Sequence, residues 1–267
     1  MSQCCWIQEK PSAWGMKRHN LSPYPVNLGI LIKSRKRGSK VLKKTGHHRT
    51  VEAATNPSPT HSLHFRLYAI TDRGLCAPWT LYDTIYSLLD VGVPAIQLRE
   101  KDLNDTEYIK LAESLCRLCH TYSAQLFINS RIEIAMTIGA DGLHLPGDSA
   151  SVEKVIEETN RRFIIGSSVH TLAEAKQRET EGTDFITYSP IYPTLSKPDY
   201  GPAVGVEGLR SVTEGINIPV FALGGITPER VSECRDAGAY GVAVMSGVMS
   251  PESGAKQAKM YLRQLLE

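Results

Sequence analysis

An α/β fold of eight parallel strands and eight helices, a (βα)8 barrel over residues 65–267, is predicted by three features of the sequence. From Arg66 onward, short apolar, β-branched runs alternate with amphipathic stretches, the pattern of βαβ units. Eight such pairs fit within about 200 residues, near the lower size limit of a TIM barrel. Glycines follow the last two strands, where this fold commonly receives phosphate groups.

The strands are expected at Arg66–Thr71, Ala95–Arg99, Gln125–Asn129 and Gly142–Leu145, then at Phe163–Ser167, Phe185–Tyr188, Val220–Leu223 and Gly241–Met245. The helices between them fall at Leu81–Leu89, Asp105–Thr121, Arg131–Ile138 and Ser151–Thr159, then at Leu172–Glu181, Val206–Val212, Pro228–Ala237 and Glu252–Leu265. A doubly wound open sheet is the structural alternative. It would usually place a glycine-rich dinucleotide turn after the first strand, and here that turn reads Thr71-Asp72-Arg73-Gly74.

In such a barrel the chemistry sits where strands end. After the second strand, Gln97, Arg99 and Lys101 share one side by strand periodicity, with Leu98 and Glu100 on the other. Three donors, two of them cationic, suit an anion, the Arg as a fork and the Lys as a point charge. Asn129 closes the third strand, as a ligand group or as a cap for the helix starting at Arg131. His144 lies between Leu143 and Leu145 and reads as a packed, hydrogen-bonded histidine. The fifth strand leads through Ser167 and Ser168 to His170, the best acid/base candidate because an imidazole titrates near working pH.

A long Pro-, Gly- and Tyr-containing loop, residues 189–202, follows the sixth strand and reads as a lid carrying Lys197 over substrate. Gly224 and Gly225 follow the seventh strand, with Thr227 placed to cap a helix that begins at Pro228. Met245, Ser246 and Gly247 follow the eighth. Backbone amides at both glycine turns can approach an anion, which is the most specific physical signal in the chain.

Residues 1–64 differ in kind. Through residue 65 the chain carries 11 of its 30 Lys+Arg and two of its 28 acids, net +9, leaving 19 against 26, net −7, for the remaining 202 residues. With scattered prolines and no sustained period, this basic segment is expected to be a largely disordered extension. Its apolar run, Val26–Ile32, is too short to span a bilayer and precedes its basic cluster, unlike a secretory signal. Six cysteines in 267 residues form no disulfide framework and agree with a reducing, cytoplasmic compartment. Cys116-Arg-Leu-Cys119-His120 spells a haem-attachment motif, but it lies on an amphipathic helix with Leu111, Leu115 and Leu118 at helical spacing. A coincidental match is expected.

Taken together, Leu67–Asp72, Gln97–Lys101, Gly166–Thr171, Pro190–Lys197 and Leu223–Thr227 resemble the thiamine-phosphate synthase/TenI family over about residues 66–265. The resemblance implies thiamine biosynthesis by one of two reactions. A synthase joins a pyrimidine diphosphate to a thiazole phosphate with Mg2+ helping diphosphate leave. A TenI-type tautomerase isomerises the carboxythiazole phosphate, using a histidine and no metal. The matching pyrimidine-diphosphate positions are Gln97, Arg99, Lys101, Asn129, Ser168 and Lys197. The thiazole-phosphate positions are Thr194, Ser196, Gly224, Gly225, Met245 and Ser246.

The synthase pattern has two metal-binding Asp residues where this chain has Ser130 and Ser149, with Asp148 one place early. A hydroxyl brings no charge to Mg2+, so the sequence favours the tautomerase, an isomerase with His170 as its shuttle and no cofactor. The alternative is the Mg2+-dependent synthase, with Asp148 as the metal candidate, because the full Gln97/Arg99/Lys101 set resembles the synthase. A non-catalytic, phosphate-binding regulatory homologue is the third class. The implied partner is a phosphorylated thiazole, with no membrane and no nucleic acid, and a homo-oligomer is left open.

Overall fold

In the computed structural model, residues 63–194 and 202–266 are described. The expectation of a disordered extension lies almost wholly outside them. Eight parallel strands close into a barrel in sequence order: β1 (Leu67–Ile70), β2 (Ala95–Leu98), β3 (Gln125–Asn129), β4 (Gly142–Leu145), β5 (Ile164–Val169), β6 (Phe185–Tyr188), β7 (Val220–Leu223) and β8 (Gly241–Val244). β8 returns to β1, pairing Val244 with Ala69, so no strand edge is left open. Helices α1 (Leu81–Asp90), α2 (Asp105–Thr121), α3 (Ile132–Ile138) and α4 (Val152–Thr159) alternate with the first strands. Helices α5 (Leu172–Thr180), α6 (Gly205–Gly215), α7 (Val231–Asp236) and α8 (Gly254–Leu266) complete the ring.

The predicted helix Pro228–Ala237 is split, with a 3-10 turn at Pro228–Arg230 before α7. Thr227 takes the N-cap position with extended backbone, yet its side chain makes no capping hydrogen bond, which corrects the expected role. Asn129 does not cap α3 either. Arg131 holds that position, and the Asn129 amide donates instead to Ser130 Oγ at 2.8 Å.

Strand alternation divides the core in two. Outward residues such as Leu67, Ile96, Leu126 and Ile165 pack under the helices. Inward residues build a separate aromatic floor from Phe65, Tyr68, Phe127, Phe185 and Phe221, with neighbouring ring centroids 5.2–5.7 Å apart along most of its edges. Three Phe residues are paired across the sheet with glycine: Phe127 with Gly142, Phe185 with Gly166, and Phe221 with Gly241. A Cβ at Gly142 or Gly166 would lie 2.3 Å from the opposing ring. One large and one absent side chain thus share each space, which fits a barrel interior too narrow for eight bulky residues.

Cys116 and Cys119 are both buried on α2, where Cys119 packs in the outer core. Beside them, His120 Nε2 sits 3.2 Å from Asp141 Oδ2. Those contacts account for the haem-like motif as helix packing. Among the described residues no helix is long and apolar enough to cross a membrane.

Candidate active site

One layer above the aromatic floor, at the strand C-termini, the inward positions of β2 to β6 turn polar and, with Ile70, Leu223 and Ala243, border a cavity of about 490 Å3. That size suits a small phosphorylated molecule. Gln97, Arg99 and Lys101 line one wall together, as periodicity predicts. Their partner on the other side of the strand, Glu100, is tied down: its Oε1 accepts from Thr71 Oγ1 at 2.7 Å and from the Arg73 amide at 3.2 Å. Burial pushes the Glu100 carboxyl above its usual range, while the Thr71 and Arg73 contacts oppose that rise. The Thr71 hydroxyl also receives the Arg99 amide at 2.9 Å, fixing the strand end from which Arg99 and Lys101 project.

Asn129, Ser168, His170, Thr194, Gly224, Gly225, Met245, Ser246 and Asp148 line the same cavity. Ser196 and Lys197 lie outside the described residues. Ser130 has φ +64°, a left-handed backbone that Asn and Asp tolerate better than most residues. Its amide donates to the His144 carbonyl at 3.1 Å.

The cavity residues that were not anticipated as site residues include His144, Thr187 and Glu174, with Tyr68 buried behind them. His144 is buried and hydrogen-bonded as expected, but it also faces the cavity. Its Nε2 lies 2.9 Å from Ser168 Oγ and its Nδ1 lies 3.5 Å from the Tyr68 hydroxyl, which accepts from Gln97 Nε2 at 3.2 Å. Burial, and then the charge of Arg99, lowers the His144 pKa to about 3, so it is neutral at working pH. Burial likewise raises the Tyr68 phenol well above its ordinary value. These contacts tie β1, β2, β4 and β5 into one polar network. Alternation in Gly142–Leu145 and Phe185–Tyr188 already put His144 and Thr187 inward.

His170 stands just beyond β5. Its Nδ1 lies 2.8 Å from the Ser189 carbonyl, and a carbonyl only accepts, so Nδ1 carries the hydrogen. In the neutral ring Nε2 is then the basic nitrogen. The His170 amide donates to Glu174 Oε2 at 2.6 Å, while the Glu174 amide donates to Thr171 Oγ1 at 3.1 Å, anchoring the start of α5.

The glycine turn after β7 is shaped by residues 190–193. Tyr192 donates its amide to the Gly224 carbonyl at 3.0 Å, and Arg230 reaches the Gly225 carbonyl at 2.6 Å while lying over the Tyr192 ring. Gly224 and Gly225 have φ +96° and +63°; a Cβ on Gly225 would meet the Pro193 carbonyl oxygen at 2.7 Å. Gly225→Ala is therefore expected to lose about 1–3 kcal/mol of stability and to weaken inorganic phosphate binding. Thermal unfolding and calorimetry with phosphate check the two effects separately.

Residues 67–248 match the family model described as thiamine monophosphate synthase. The chain belongs to this family. It is 48% identical over 181 residues to "Putative thiamine-phosphate synthase 2" of Aquifex aeolicus, covering 68% of this chain and 96% of that protein. It is 37% identical to the thiamine-phosphate synthase of Pyrococcus abyssi, covering 76% and 95% of the two chains. Among solved structures, thiamine phosphate pyrophosphorylase from Pyrococcus furiosus superposes with a TM-score of 0.69 at 32% identity, covering 76% of this chain and 96% of that one. The described residues that the sequence singled out as site candidates thus line one cavity at the C-terminal mouth of the barrel.

Proposed function

We propose that the protein is a thiamine-phosphate synthase, a transferase that joins a pyrimidine diphosphate to a thiazole phosphate. The observation that carries this reading is that two anion-seeking features border one cavity: the Gln97/Arg99/Lys101 wall and the glycine turns after β7 and β8. A pyrimidine diphosphate and a thiazole phosphate fill both features with phosphate groups, whereas a carboxythiazole phosphate brings one phosphate and one carboxylate. The names of the relatives favour the same choice over the tautomerase that the sequence alone favoured.

In this reading Arg99 and Lys101 bind the diphosphate, Gln97, Asn129 and Ser168 orient the pyrimidine portion, and the family resemblance adds Lys197 to the diphosphate set. Thr194, Ser196, Gly224, Gly225, Met245 and Ser246 receive the thiazole phosphate. A bond forms from the thiazole nitrogen to the pyrimidine methylene carbon as that carbon's bond to the diphosphate oxygen breaks. Arg99 and Lys101 stabilise the negative charge that collects on the departing group.

Mg2+ commonly rests on one or two carboxylates plus phosphate oxygens. Asp148 on the cavity wall supplies one carboxylate, and Ser130 and Ser149 supply none. Among the described residues no cluster of three or more His, Cys, Asp or Glu has metal-binding placement. The donor set therefore fits a Mg2+ held by Asp148 and carried mainly by the diphosphate, not an all-protein cage. When bound there, the ion would neutralise charge on the leaving diphosphate. A cytoplasmic enzyme with small-molecule partners, no membrane or nucleic acid, is the matching cellular picture.

Purified protein given both substrates and saturating Mg2+ is expected to form thiamine phosphate and diphosphate. No product under those conditions would sink the reading. The orientation of His170 supports tautomerisation as the second reading, because the hydrogen on Nδ1, held by the Ser189 carbonyl, makes Nε2 the proton-exchanging nitrogen of the neutral ring. Under that reading His170→Ala would slow isomerisation by about 10²–10⁴. An unchanged isomerisation rate would discard it.

A further inference from the structure

One buried guanidinium grips the β4–α4 loop at the edge of the cavity. Arg178, on α5, is only 6% exposed. Its Nη2 donates to the carbonyls of Pro146 (3.3 Å) and Gly147 (3.0 Å) and to Ser149 Oγ (3.3 Å), while Nη1 donates to the Ala150 carbonyl at 3.2 Å. Nη1 also meets Glu181 Oε2 at 3.0 Å, and that oxygen receives the Val152 amide at 3.0 Å, where α4 begins. Within the loop, the Ser149 amide donates to the Pro146 carbonyl at 3.1 Å, closing a turn around Gly147 and Asp148.

Residues 147 and 149 are thus both gripped by the same planar fork. Asp148, between them, lines the cavity together with Pro146 and Gly147, whereas Ser149 does not. The Ser149 hydroxyl meets the Arg178 fork and donates to the Ala150 carbonyl at 3.2 Å. The position that aligns with the family's second carboxylate is therefore held by Arg178, and the carboxylate one place earlier borders the cavity.

We propose that Arg178 is a positioning residue that sets the register of this loop, so that Asp148, and not residue 149, presents the carboxylate for a divalent cation bound with diphosphate. The inference rests on the synthase reading. A rigid five-donor fork can hold several carbonyls of one short loop at fixed angles, whereas the single ammonium of lysine cannot. The clamp also explains why Asp148 is not interchangeable with an acid at the neighbouring position, although the two differ by one residue in sequence.

The test measures Mn2+ binding in the presence of inorganic pyrophosphate, by calorimetry and by the electron paramagnetic resonance of free Mn2+. Wild-type protein is expected to bind the Mn2+–pyrophosphate pair at least ten-fold more tightly than Asp148→Asn. The double variant Asp148→Ser/Ser149→Asp keeps the charge and moves it one residue within an exposed loop. It is expected to bind as weakly as Asp148→Asn, because residue 149 stays on the clamp. Arg178→Gln, checked for folding by thermal unfolding and near-ultraviolet circular dichroism, is expected to weaken Mn2+ binding about ten-fold while leaving metal-free pyrophosphate binding unchanged.

If the swapped variant binds like wild type while Asp148→Asn does not, the register is not fixed and the proposal fails while the synthase reading stands. Wild-type binding by folded Arg178→Gln would overturn it in the same way. If wild type and Asp148→Asn bind the pair equally, Asp148 is no metal ligand. The metal reading then falls, and the proposal with it.

Discussion

Phe185→Ala is expected to cost about 3–5 kcal/mol of unfolding free energy, the range for removing a buried aromatic ring. Phe185 is fully buried and sits edge-on or tilted against Phe65, Tyr68, Phe127, Phe221 and His144. Its cross-strand partner is Gly166, which has no side chain to move into the space. The gap would therefore persist as a cavity, and the loss should fall at the upper end of the range. Because domains of this kind hold about 5–15 kcal/mol in total, a large share of the stability would go. Urea unfolding at constant m-value reads this directly, and a loss below about 1 kcal/mol would show that the floor repacks. The reverse change, Gly166→Ala, should also destabilise, since its Cβ would lie within the Phe185 ring contact.

Arg99→Met should give the largest loss of activity among the binding-wall variants. A charge-assisted hydrogen bond to phosphate contributes about 1.5–3 kcal/mol, so loss of the fork predicts a fall of about 10–100-fold or more in kcat/KM. The deficit should appear with the diphosphate substrate and leave the KM for thiazole phosphate nearly unchanged, because the glycine turns follow other strands, β7 and β8. Steady-state kinetics with each substrate varied in turn separates the two. Lysine should rescue poorly at this position, since one ammonium cannot replace a two-pronged contact. A second readout is independent of turnover: Arg99 contributes to lowering the His144 pKa, so the His144 titration should move upward in Arg99→Met. Burial remains the dominant cause, and the ring should stay neutral at pH 7. Equal losses for both substrates would show that Arg99 supports the cavity as a whole.

Most of the barrel was legible because its strands are apolar runs with a fixed two-residue period. β3, β4, β6 and β7 begin and end at the predicted residues, and α2 does so among the helices. The same period correctly sent Gln97, Arg99 and Lys101 to one wall. It also carried information about His144 and Thr187 that their apolar neighbours obscured, since Leu143 and Leu145 suggest packing while the barrel interior is both packed and ligand-facing. Capping was read less well. Asn129 and Thr227 are residue types that favour helix starts, yet Asn129 bonds to Ser130 and the Thr227 side chain makes no capping bond. Local preference is a weak guide where tertiary partners compete for the same polar atom.

The sequence by itself determined the alternation, the cationic trio at the end of β2 and the glycines after β7 and β8, because each follows from chain-local periodicity or residue chemistry. The tertiary structure decided which side chains share space. It paired three phenylalanines with three glycines across neighbouring strands, and it held Ser149 on Arg178 so that Asp148 borders the cavity. Those outcomes depend on contacts between residues about 15 to 32 positions apart, which no local pattern encodes.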